Sequence, residues 1–348
     1  MAGADRAGEA IATPVTGEAA IRRLLDYLDG EPGTEGDAPA EREISGWRIR
    51  RIDGGRNNLL YRATGPAGDL AVKFTREDGR DRAGHEYQAL SALQRAGLDV
   101  APRPLLLDRV AYRRPVVVQS WLPGEVGPMP RTDDEWDGIV GHLVQVHRVT
   151  PATTGVPLAP CSIDIRTARE GQTLVSWQLA LLPQDARLRP LRALVRRLAA
   201  ADLPQWPPVP VTLCRLDNNL DNYIRPPGRR PGAWASVDWE YSGWGDPAFD
   251  VANLVTHVAL KDVPAERWDW FVARYCELVE NRTARQRIDV YRQIMLVWWP
   301  VRLARYLYEL PAGKDRRLAA WPEDWRADIE AKYEHYLGLA SRRAVYRE

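Results

Sequence analysis

Residues 214–224 read CRLDNNLDNYI, and residues 236–255 read SVDWEYSGWGDPAFDVANLV. The first segment places Asp217 and Asn222 at the spacing D-x4-N, and the second places Asp238 after an apolar approach. Carboxylate and amide oxygens are hard ligands that suit Mg²⁺, which seldom takes an all-protein cage. The two segments therefore predict a magnesium site at Asn222 and Asp238, beside a carboxylate, Asp217, that can meet a hydroxyl.

Each segment also has a structural interpretation. For 214–224 the alternative is an Asx-rich turn without chemistry, because Asn and Asp are common in turns. In the second segment Asp246 precedes Pro247, which is typical of a helix N-cap followed by Pro at the first helical position. We therefore expect Asp246 to start a helix rather than to act in chemistry.

Three further features lie upstream in a fixed order. Residues 53–58 read DGGRNN, a turn in which Gly54 and Gly55 let backbone N–H groups approach phosphate oxygens. Lys73 lies in the apolar strand LAVKF, and Glu86 follows thirteen residues later in a helix, where it can pair with Lys73 and hold it against phosphates. The structural alternatives are a hairpin turn, an edge lysine and a solvated glutamate.

The hydrophobic pattern divides the chain into three parts. Residues 1–43 predict a helix at 17–29 followed by a Gly/Pro-rich connector, and so a helical extension on a tether. Residues 44–122 predict five short strands and one helix at about 81–95, and residues 123–348 are mainly helical. In the third part, strand signals occur at 210–224 and 233–239, and helices are predicted at 133–148, 166–182, 188–201, 247–260, 264–281, 284–309 and 324–340.

Composition excludes several classes of protein. The 348 residues include 48 basic and 47 acidic side chains, and the resulting net charge of +1 gives no field that would gather nucleic acid or an anionic membrane. The first residues contain no apolar core of a signal peptide, and no stretch approaches the roughly 18 apolar residues that span a bilayer. We expect a cytoplasmic protein, a monomer or homodimer, with three reduced cysteines.

With these features in this order, the chain resembles the aminoglycoside phosphotransferase and choline kinase-like branch of the protein-kinase fold. The resemblance covers about residues 45–260 and rests on GGRNNLLYR, AVKF, HEYQAL and VDWEYSGWGDPAFDVANL. It implies an α+β, two-lobe fold with a small antiparallel β-sheet N-lobe and a larger, mainly α-helical C-lobe. It also implies a kinase that uses Mg²⁺ and ATP, or GTP, to phosphorylate a hydroxyl of a small molecule.

The resemblance implies a role for each candidate residue. Asp217 becomes the catalytic base, and Asn222 and Asp238 become the metal ligands. The residues implied at the nucleotide are Gly54, Gly55, Asn58, Lys73 and Glu86, together with the hinge residues Gln119, Ser120, Trp121 and Leu122 beside the base.

The catalytic loop departs from the family pattern H-G-D-x4-N at two positions. Arg215 stands where the family usually has His, and Leu216 stands where it usually has Gly. Because that His is a supporting group, the departure leaves transfer possible but puts the geometry of the loop, and full activity, in question. A catalytically weak kinase-like protein that binds a nucleotide or metabolite is therefore the alternative function.

The acceptor is the least determined part of the prediction. Glu240, beside the metal loop, is a candidate substrate residue, and aromatic faces could hold a sugar, a base or a quaternary ammonium. Core packing is the alternative for Trp298 and Trp299, which lie among buried aliphatic positions of a long helix. Aminoglycoside specificity is not supported, because the same helix carries Arg302 and Arg305.

A carboxylate hydrolase is a third hypothesis. Asp217 could act with Asp238 or Glu240 as an acid and base pair, as in glycosidases. In that case Lys73 and Glu86 would have no task.

Overall fold

The chain is described by a computed structural model at residues 17–30, 41–52, 58–228, 232–314 and 321–343. A small β-rich lobe precedes a larger helical lobe, as predicted from the sequence. Within these residues, no helix combines the length and apolar character needed to cross a membrane.

The elements of the small lobe are α1 (Gly17–Gly30), β1 (Arg42–Ile44), β2 (Trp47–Ile52), β3 (Asn58–Gly65), β4 (Gly68–Thr75), α2 (Arg82–Arg95), β5 (Pro104–Asp108) and β6 (Val116–Ser120). Its strands form one antiparallel sheet with the order β1-β2-β3-β4-β6-β5. The sheet has six strands rather than the five predicted, because the segment ISGWRIRRI turns back on itself. Ser45 and Gly46 both adopt positive φ, the conformation of a two-residue hairpin turn, and so separate β1 from β2.

The helix predicted in the N-terminal extension lies on the small lobe. Ile21, Leu24, Leu25 and Leu28 of α1 are buried in one cluster with Trp47 and other apolar residues of the sheet. Their spacing places them on one face of the helix, which packs on the sheet. The described part of the extension therefore contributes to the small-lobe core.

The large lobe is mainly helical, as predicted. Its elements are β7 (Glu125–Val126), α3 (Asp133–His147), α4 (Pro151–Thr154), α5 (Ala168–Ala180), α6 (Arg189–Ala200), β8 (Thr212–Cys214), β9 (Tyr223–Arg225), β10 (Ala235–Ser236), β11 (Gly243–Gly245), α7 (Pro247–Val255), α8 (Ala265–Leu278), α9 (Ala284–Glu309) and α10 (Trp325–Arg343). The sequence missed β7, β11 and α4, which have two to four residues each and too little pattern to detect. It also extended α7 to residue 260, whereas the α-helix ends at Val255 and a short 3-10 turn follows.

Local signals explain where several helices begin. The capping box of α5 pairs Thr167 with Glu170, and Thr132 caps α3. The prediction that Asp246 caps α7, with Pro247 at the first helical position, is confirmed. The core of the large lobe lies around α9, which packs against α5, α7 and α10.

Candidate active site

Lys73 forms the centre of the site. It lies on β4 with only 5 % of its surface exposed, and its Nζ donates to Oε2 of Glu86 on α2 at 2.6 Å. The same Nζ contacts Oδ1 of Asp238, a residue of the large lobe. The predicted pairing of Lys73 with Glu86 is therefore present, and Asp238 joins it across the interface between the lobes.

Burial and neighbouring charges set the protonation of this group. Burial alone would lower the pKa of Lys73, but the carboxylates of Asp238, Glu86 and Glu240 outweigh it and raise that pKa. Burial raises the pKa of Glu86 to about 7, although the Lys73 ammonium opposes this change. Several carboxylates thus share one lysine, which makes the site a place where additional positive charge is stabilised.

Asp217 lies on the loop between β8 and β9, close enough to Asp238 for the two charges to interact. Burial, and then the negative charge of Asp238, raise the pKa of Asp217 to about 7, while Arg215 opposes the shift. Asn222 is on the same loop, and its Nδ2 donates to the backbone oxygen of Asp217 at 3.3 Å. This bond leaves the carboxamide oxygen of Asn222 as the atom suited to a metal.

Asp250, which the sequence interpretation missed, supports this loop from α7. Its carboxylate accepts from the backbone N–H groups of Arg215 at 3.0 Å and Leu216 at 2.9 Å, and from Nδ2 of Asn218 at 2.6 Å. Burial alone would raise the pKa of Asp250, but these bonds and His147 hold it below its ordinary value. The only signal in the sequence was a carboxylate in the apolar helix FDVANL, which carried no indication of its partners.

His147 completes this support at the end of α3. Its Nε2 lies 3.0 Å from Asp250 Oδ2, and its Nδ1 lies 2.8 Å from the hydroxyl of Tyr275. Burial opposes protonation of the ring, yet Asp250 raises the pKa of His147 to about 9. His147, Cys214 and Asp250 are also close enough to hold a metal, but the ring nitrogens and the carboxylate already have these protein partners. We therefore interpret the cluster as structural.

Arg215 takes a structural position in the loop. It is fully buried between the rings of Tyr223 and Trp239, at 4.9 and 4.8 Å from their centroids. Its Nη2 donates to the backbone oxygen of Val237 at 2.7 Å, which ties the Asp217 loop to the segment carrying Asp238. The residue that replaces the family His therefore connects the two segments that carry the candidate catalytic and metal residues.

Leu216 adopts a backbone conformation in which glycine is favoured. Its φ is 61°, in the left-handed region, where a non-glycine residue costs on the order of 1–3 kcal/mol. The usual glycine at this position avoids that cost. Asp250, which holds the Leu216 N–H, keeps the strained turn in place.

Glu240, predicted to contact the substrate, lies buried between the lobes. Its carboxylate is fully buried, accepts from Asn58 Nδ2 at 2.7 Å and contacts Arg82 Nη1. Arg82 is in turn paired with Asp78 at 2.8 Å. These contacts favour a role for Glu240 in joining the lobes rather than in contacting the substrate. One of them involves Asn58, a residue that was predicted to contact the nucleotide.

The remaining predicted nucleotide residues are only partly described. Gly54 and Gly55 lie outside the described residues. Gln119 is buried on β6, two residues after Val117, which pairs with Lys73 in the sheet.

Trp121 is half-buried and donates its backbone N–H to the backbone oxygen of Asp69 at 2.8 Å. The guanidinium of Arg62 lies over the Trp121 ring, 4.8 Å from its centroid. Leu122 is half-buried beside it.

A cleft of about 1210 Å³ is lined by Asp217 and Leu216. Side chains of α5 and α9 form much of its wall, and Arg76, Asp78 and Arg80 of the small lobe also line it. Among the described residues, its lining includes neither Lys73 nor the hinge residues. Asp217 thus interacts with the charge of Lys73 and lines a cleft large enough for a small molecule.

Sequence and structure comparisons agree on the relatives of this chain. The pattern of the phosphotransferase enzyme family matches residues 48–291, more than half of the chain. A thiamine kinase from Escherichia coli O157:H7 (strain EC4115 / EHEC) is 25 % identical over 240 residues, which cover 61 % of this chain and 77 % of the relative.

Solved structures share the fold at lower identity. A putative aminoglycoside phosphotransferase from Ralstonia eutropha JMP134 superposes with a TM-score of 0.61 at 16 % identity, covering 92 % of this chain and 98 % of that one. Choline kinase LicA from Streptococcus pneumoniae gives 0.54 at 18 % identity, covering 92 % and 98 %. A spectinomycin phosphotransferase in complex with ADP and spectinomycin gives 0.55 at 14 % identity, covering 92 % and 97 %. The chain therefore belongs to the phosphotransferase enzyme family and is a small-molecule kinase with an α+β, protein-kinase-like fold.

Proposed function

We propose that the chain transfers the γ-phosphoryl group of ATP or GTP to an alcohol, with Mg²⁺ as cofactor and Asp217 as the base. The observation that carries this proposal is the contact of Lys73 with Glu86 and with Asp238 across the two lobes, beside Asp217. Phosphoryl transfer depends mainly on alignment and neutralisation of charge, which is what this arrangement supplies.

The reaction balances with these residues. The acceptor oxygen forms a bond to the γ-phosphorus while the bond from that phosphorus to the β–γ bridging oxygen breaks, so that the nucleoside diphosphate leaves. Asp217 orients the acceptor hydroxyl and receives its proton. A carboxylate whose pKa is about 7 is suited to that exchange near neutral pH.

The residues beside Lys73 and Asp217 fit a magnesium ion. Asp238 offers a carboxylate, Asn222 offers a carboxamide oxygen, and both are hard oxygen ligands of the kind that Mg²⁺ takes alongside phosphate oxygens. Burial raises the pKa of Asp217 and of Glu86, and the negative charge of Asp238 adds to both shifts, so positive charge is favoured here. When bound, the ion would neutralise charge on the phosphates; Asn222 and Asp238 would hold it, and Lys73 would contact the phosphates from the small lobe.

We also propose that the hinge residues Gln119, Trp121 and Leu122 meet the nucleotide base and that Gly54 and Gly55 cover its phosphates. Glu240 is assigned a positioning role, because its bonds to Asn58 and Arg82 join the two lobes that form the nucleotide site.

The proposal is tested by measuring nucleoside diphosphate released in the presence of a panel of cationic, neutral and anionic alcohols. We expect release to require Mg²⁺ and to fall by at least 100-fold in Lys73→Ala and Asp238→Ala. Lys261→Ala and Asp262→Ala alter an exposed pair outside the site and serve as matched controls. Wild-type turnover in either site variant would refute the assignments.

A further inference from the structure

The wall that α9 contributes to the cleft is rich in hydrogen-bond donors. Trp298, Arg302 and Arg305 follow one another on α9 at spacings of four and three residues, which places them on one side of the helix. All three line the cleft. Indole and guanidinium groups donate hydrogen bonds and accept none.

Two indole donors that line the cleft lack a partner within the described part of the chain. Trp298 and Trp299 are 8 % and 7 % exposed, and the Nε1 atom of each is buried without a hydrogen bond. A buried donor left unsatisfied costs about 1–3 kcal/mol. Both tryptophans line the cleft, but each Nε1 atom is itself buried, so acceptor oxygens reach these donors only when ligand binding shifts the two rings.

The charges of this wall also favour an anion. Arg305 Nε donates to Glu309 at 2.6 Å, and Arg302 Nη1 lies 4.0 Å from the same carboxylate, so two cations share one anion. Arg169 and Lys314 line the cleft as well, and neither side chain has a partner among the described residues. Positive charge therefore exceeds negative charge on this side of the cleft.

The carboxylates of the cleft, apart from Asp217, are already occupied. Glu309 binds arginine, and Asp164 accepts from Arg166 Nε at 2.9 Å. Glu170 accepts from two backbone N–H groups at the start of α5. Asp78 is surrounded by the guanidinium groups of Arg76, Arg80 and Arg82. A cationic acceptor would find no carboxylate free to bind it on these described walls.

On the α9 wall, aromatic faces do not replace the missing carboxylates. The guanidinium of Arg302 lies over the ring of Tyr306 at 4.2 Å and so occupies the position that a quaternary ammonium would take. Trp299 packs edge-on against His257 at 5.1 Å and against Trp298 at 4.7 Å. The aromatic residues of this wall therefore pack with one another and with arginine.

Resting on the proposed function, we infer that the acceptor is an alcohol that carries a carboxylate or phosphate group. The indole N–H groups of Trp298 and Trp299, with Arg302 and Arg305, bind that anionic group at the α9 wall. The hydroxyl of the same molecule reaches Asp217, which takes its proton as the oxygen bonds to the γ-phosphorus and the nucleoside diphosphate leaves.

The binding part of this inference is tested without knowing the acceptor. Protein labelled with ¹⁵N at tryptophan is titrated with acetate, inorganic phosphate and tetramethylammonium, and the indole N–H resonances are followed. Trp298→Phe and Trp299→Phe assign the two peaks. We expect saturable shifts of both peaks with acetate or phosphate and none with tetramethylammonium.

Variants locate the site. Arg302→Gln and Arg305→Gln should weaken the anion response at least fivefold, whereas Arg326→Gln, in an exposed pair on α10, should leave it unchanged. Shifts with tetramethylammonium alone, or no saturable shift with either anion, would overturn the inference.

Turnover separates this inference from the proposed function. Glycerol, choline, glycerate and glycerol 3-phosphate, and likewise glucose, glucosamine, gluconate and glucose 6-phosphate, form sets that differ mainly in charge. We expect the carboxylate or phosphate member of each set to have a kcat/KM at least tenfold above those of the neutral and cationic members. Comparing the carboxylate member with the phosphate member then shows which of the two anionic groups the acceptor carries. A higher kcat/KM for a cationic member would contradict the inference about the acceptor but would leave the proposed function intact. Absence of nucleotide binding would contradict the proposed function itself.

Discussion

Asp217 is the residue whose chemistry depends most on its surroundings. Its carboxyl pKa is raised to about 7 by burial and by Asp238, from an ordinary value of 3.8. The folded protein therefore binds a proton here more tightly than the unfolded chain, so stability falls as pH rises from about 4 to 7 and stays lower above 7. The raised pKa that suits Asp217 to act as a base therefore lowers the stability of the folded protein at neutral pH.

We predict that Asp217→Asn loses transfer but melts at a higher temperature than the wild type, because it removes a partly buried charge that Asp238 repels. Without nucleotide or metal, the difference in Tm should be larger at pH 8 than at pH 5, as measured by circular dichroism. Asp221→Asn, which changes an exposed neighbour on the same loop, is the matched control. Equal melting temperatures for Asp217→Asn and wild type at both pH values would contradict the pKa assignment.

At the residue scale, the sequence could predict the groups whose chemistry is unusual for their place. Lys73 is a charged residue in an otherwise apolar strand, which marks it as unusual. Its pairing with Glu86 could be predicted because Glu86 lies in the helix that follows this strand. The contacts of Glu240 with Asn58 and Arg82 span 182 and 158 residues of sequence, and no local pattern indicates which distant side chains will meet. The support given by Asp250 and His147 was missed for the same reason.

At the scale of the element, α7 begins with a cap that also serves a buried ion pair. Asp246 Oδ1 accepts from the Ala248 N–H at 2.9 Å and from Arg287 Nη1 at 2.6 Å, and Oδ2 accepts from the Tyr291 hydroxyl at 3.0 Å. The sequence predicted the cap from Asp246-Pro247, whereas the partners on α9 depend on helix packing.

We predict that Asp246→Ala lowers the free energy of unfolding by about 3–5 kcal/mol, because it removes the cap and leaves Arg287 buried without its counter-charge. Thermal melting checks this expectation. Asp246→Asn keeps a capping oxygen and should fall between the wild type and the alanine variant. An unchanged Tm in Asp246→Ala would contradict the stabilising role of Asp246 as the cap of α7 and the partner of Arg287.

Helix α1 gives a second test at this scale. Leu25 is fully buried against the small-lobe sheet, so Leu25→Ala should cost about 2–5 kcal/mol of stability in chemical denaturation. Arg23→Ala, on the exposed side of the same helix, should cost less than about 0.5 kcal/mol. If both variants unfolded like the wild type, α1 would not be part of the small-lobe core.

Element types in both lobes followed from hydrophobic periodicity, and most helix boundaries agree within two residues. The split of ISGWRIRRI into β1 and β2 was not predicted, because Ser45 adopts a positive φ that its side chain does not signal. The sequence also could not predict where α1 packs, because its apolar face could have covered either the small lobe or a second subunit.

At the scale of the whole molecule, the lobes meet through charged groups. Lys73 of the small lobe contacts Asp238 of the large lobe, and Glu240 of the large lobe binds Asn58 and Arg82 of the small lobe. The candidate active site is therefore complete only when both lobes are together. The two-lobe fold was predicted from the sequence, whereas the charge of the cleft could be described only once α5, α9 and the Asp217 loop were placed.

The most direct measurement of this account is the melting temperature with ATP and with GTP, each with and without Mg²⁺, for the wild type, Asp238→Ala and Asp217→Asn. A ligand at 100 times its Kd stabilises by about 2.7 kcal/mol, so a rise of several degrees is expected for the wild type with Mg²⁺. Asp217→Asn should keep that rise, because the proposed role of Asp217 is at the acceptor rather than at the nucleotide, and Asp238→Ala should lose it. No rise with either nucleotide in the wild type, or an equal rise in Asp238→Ala, would contradict the assigned site.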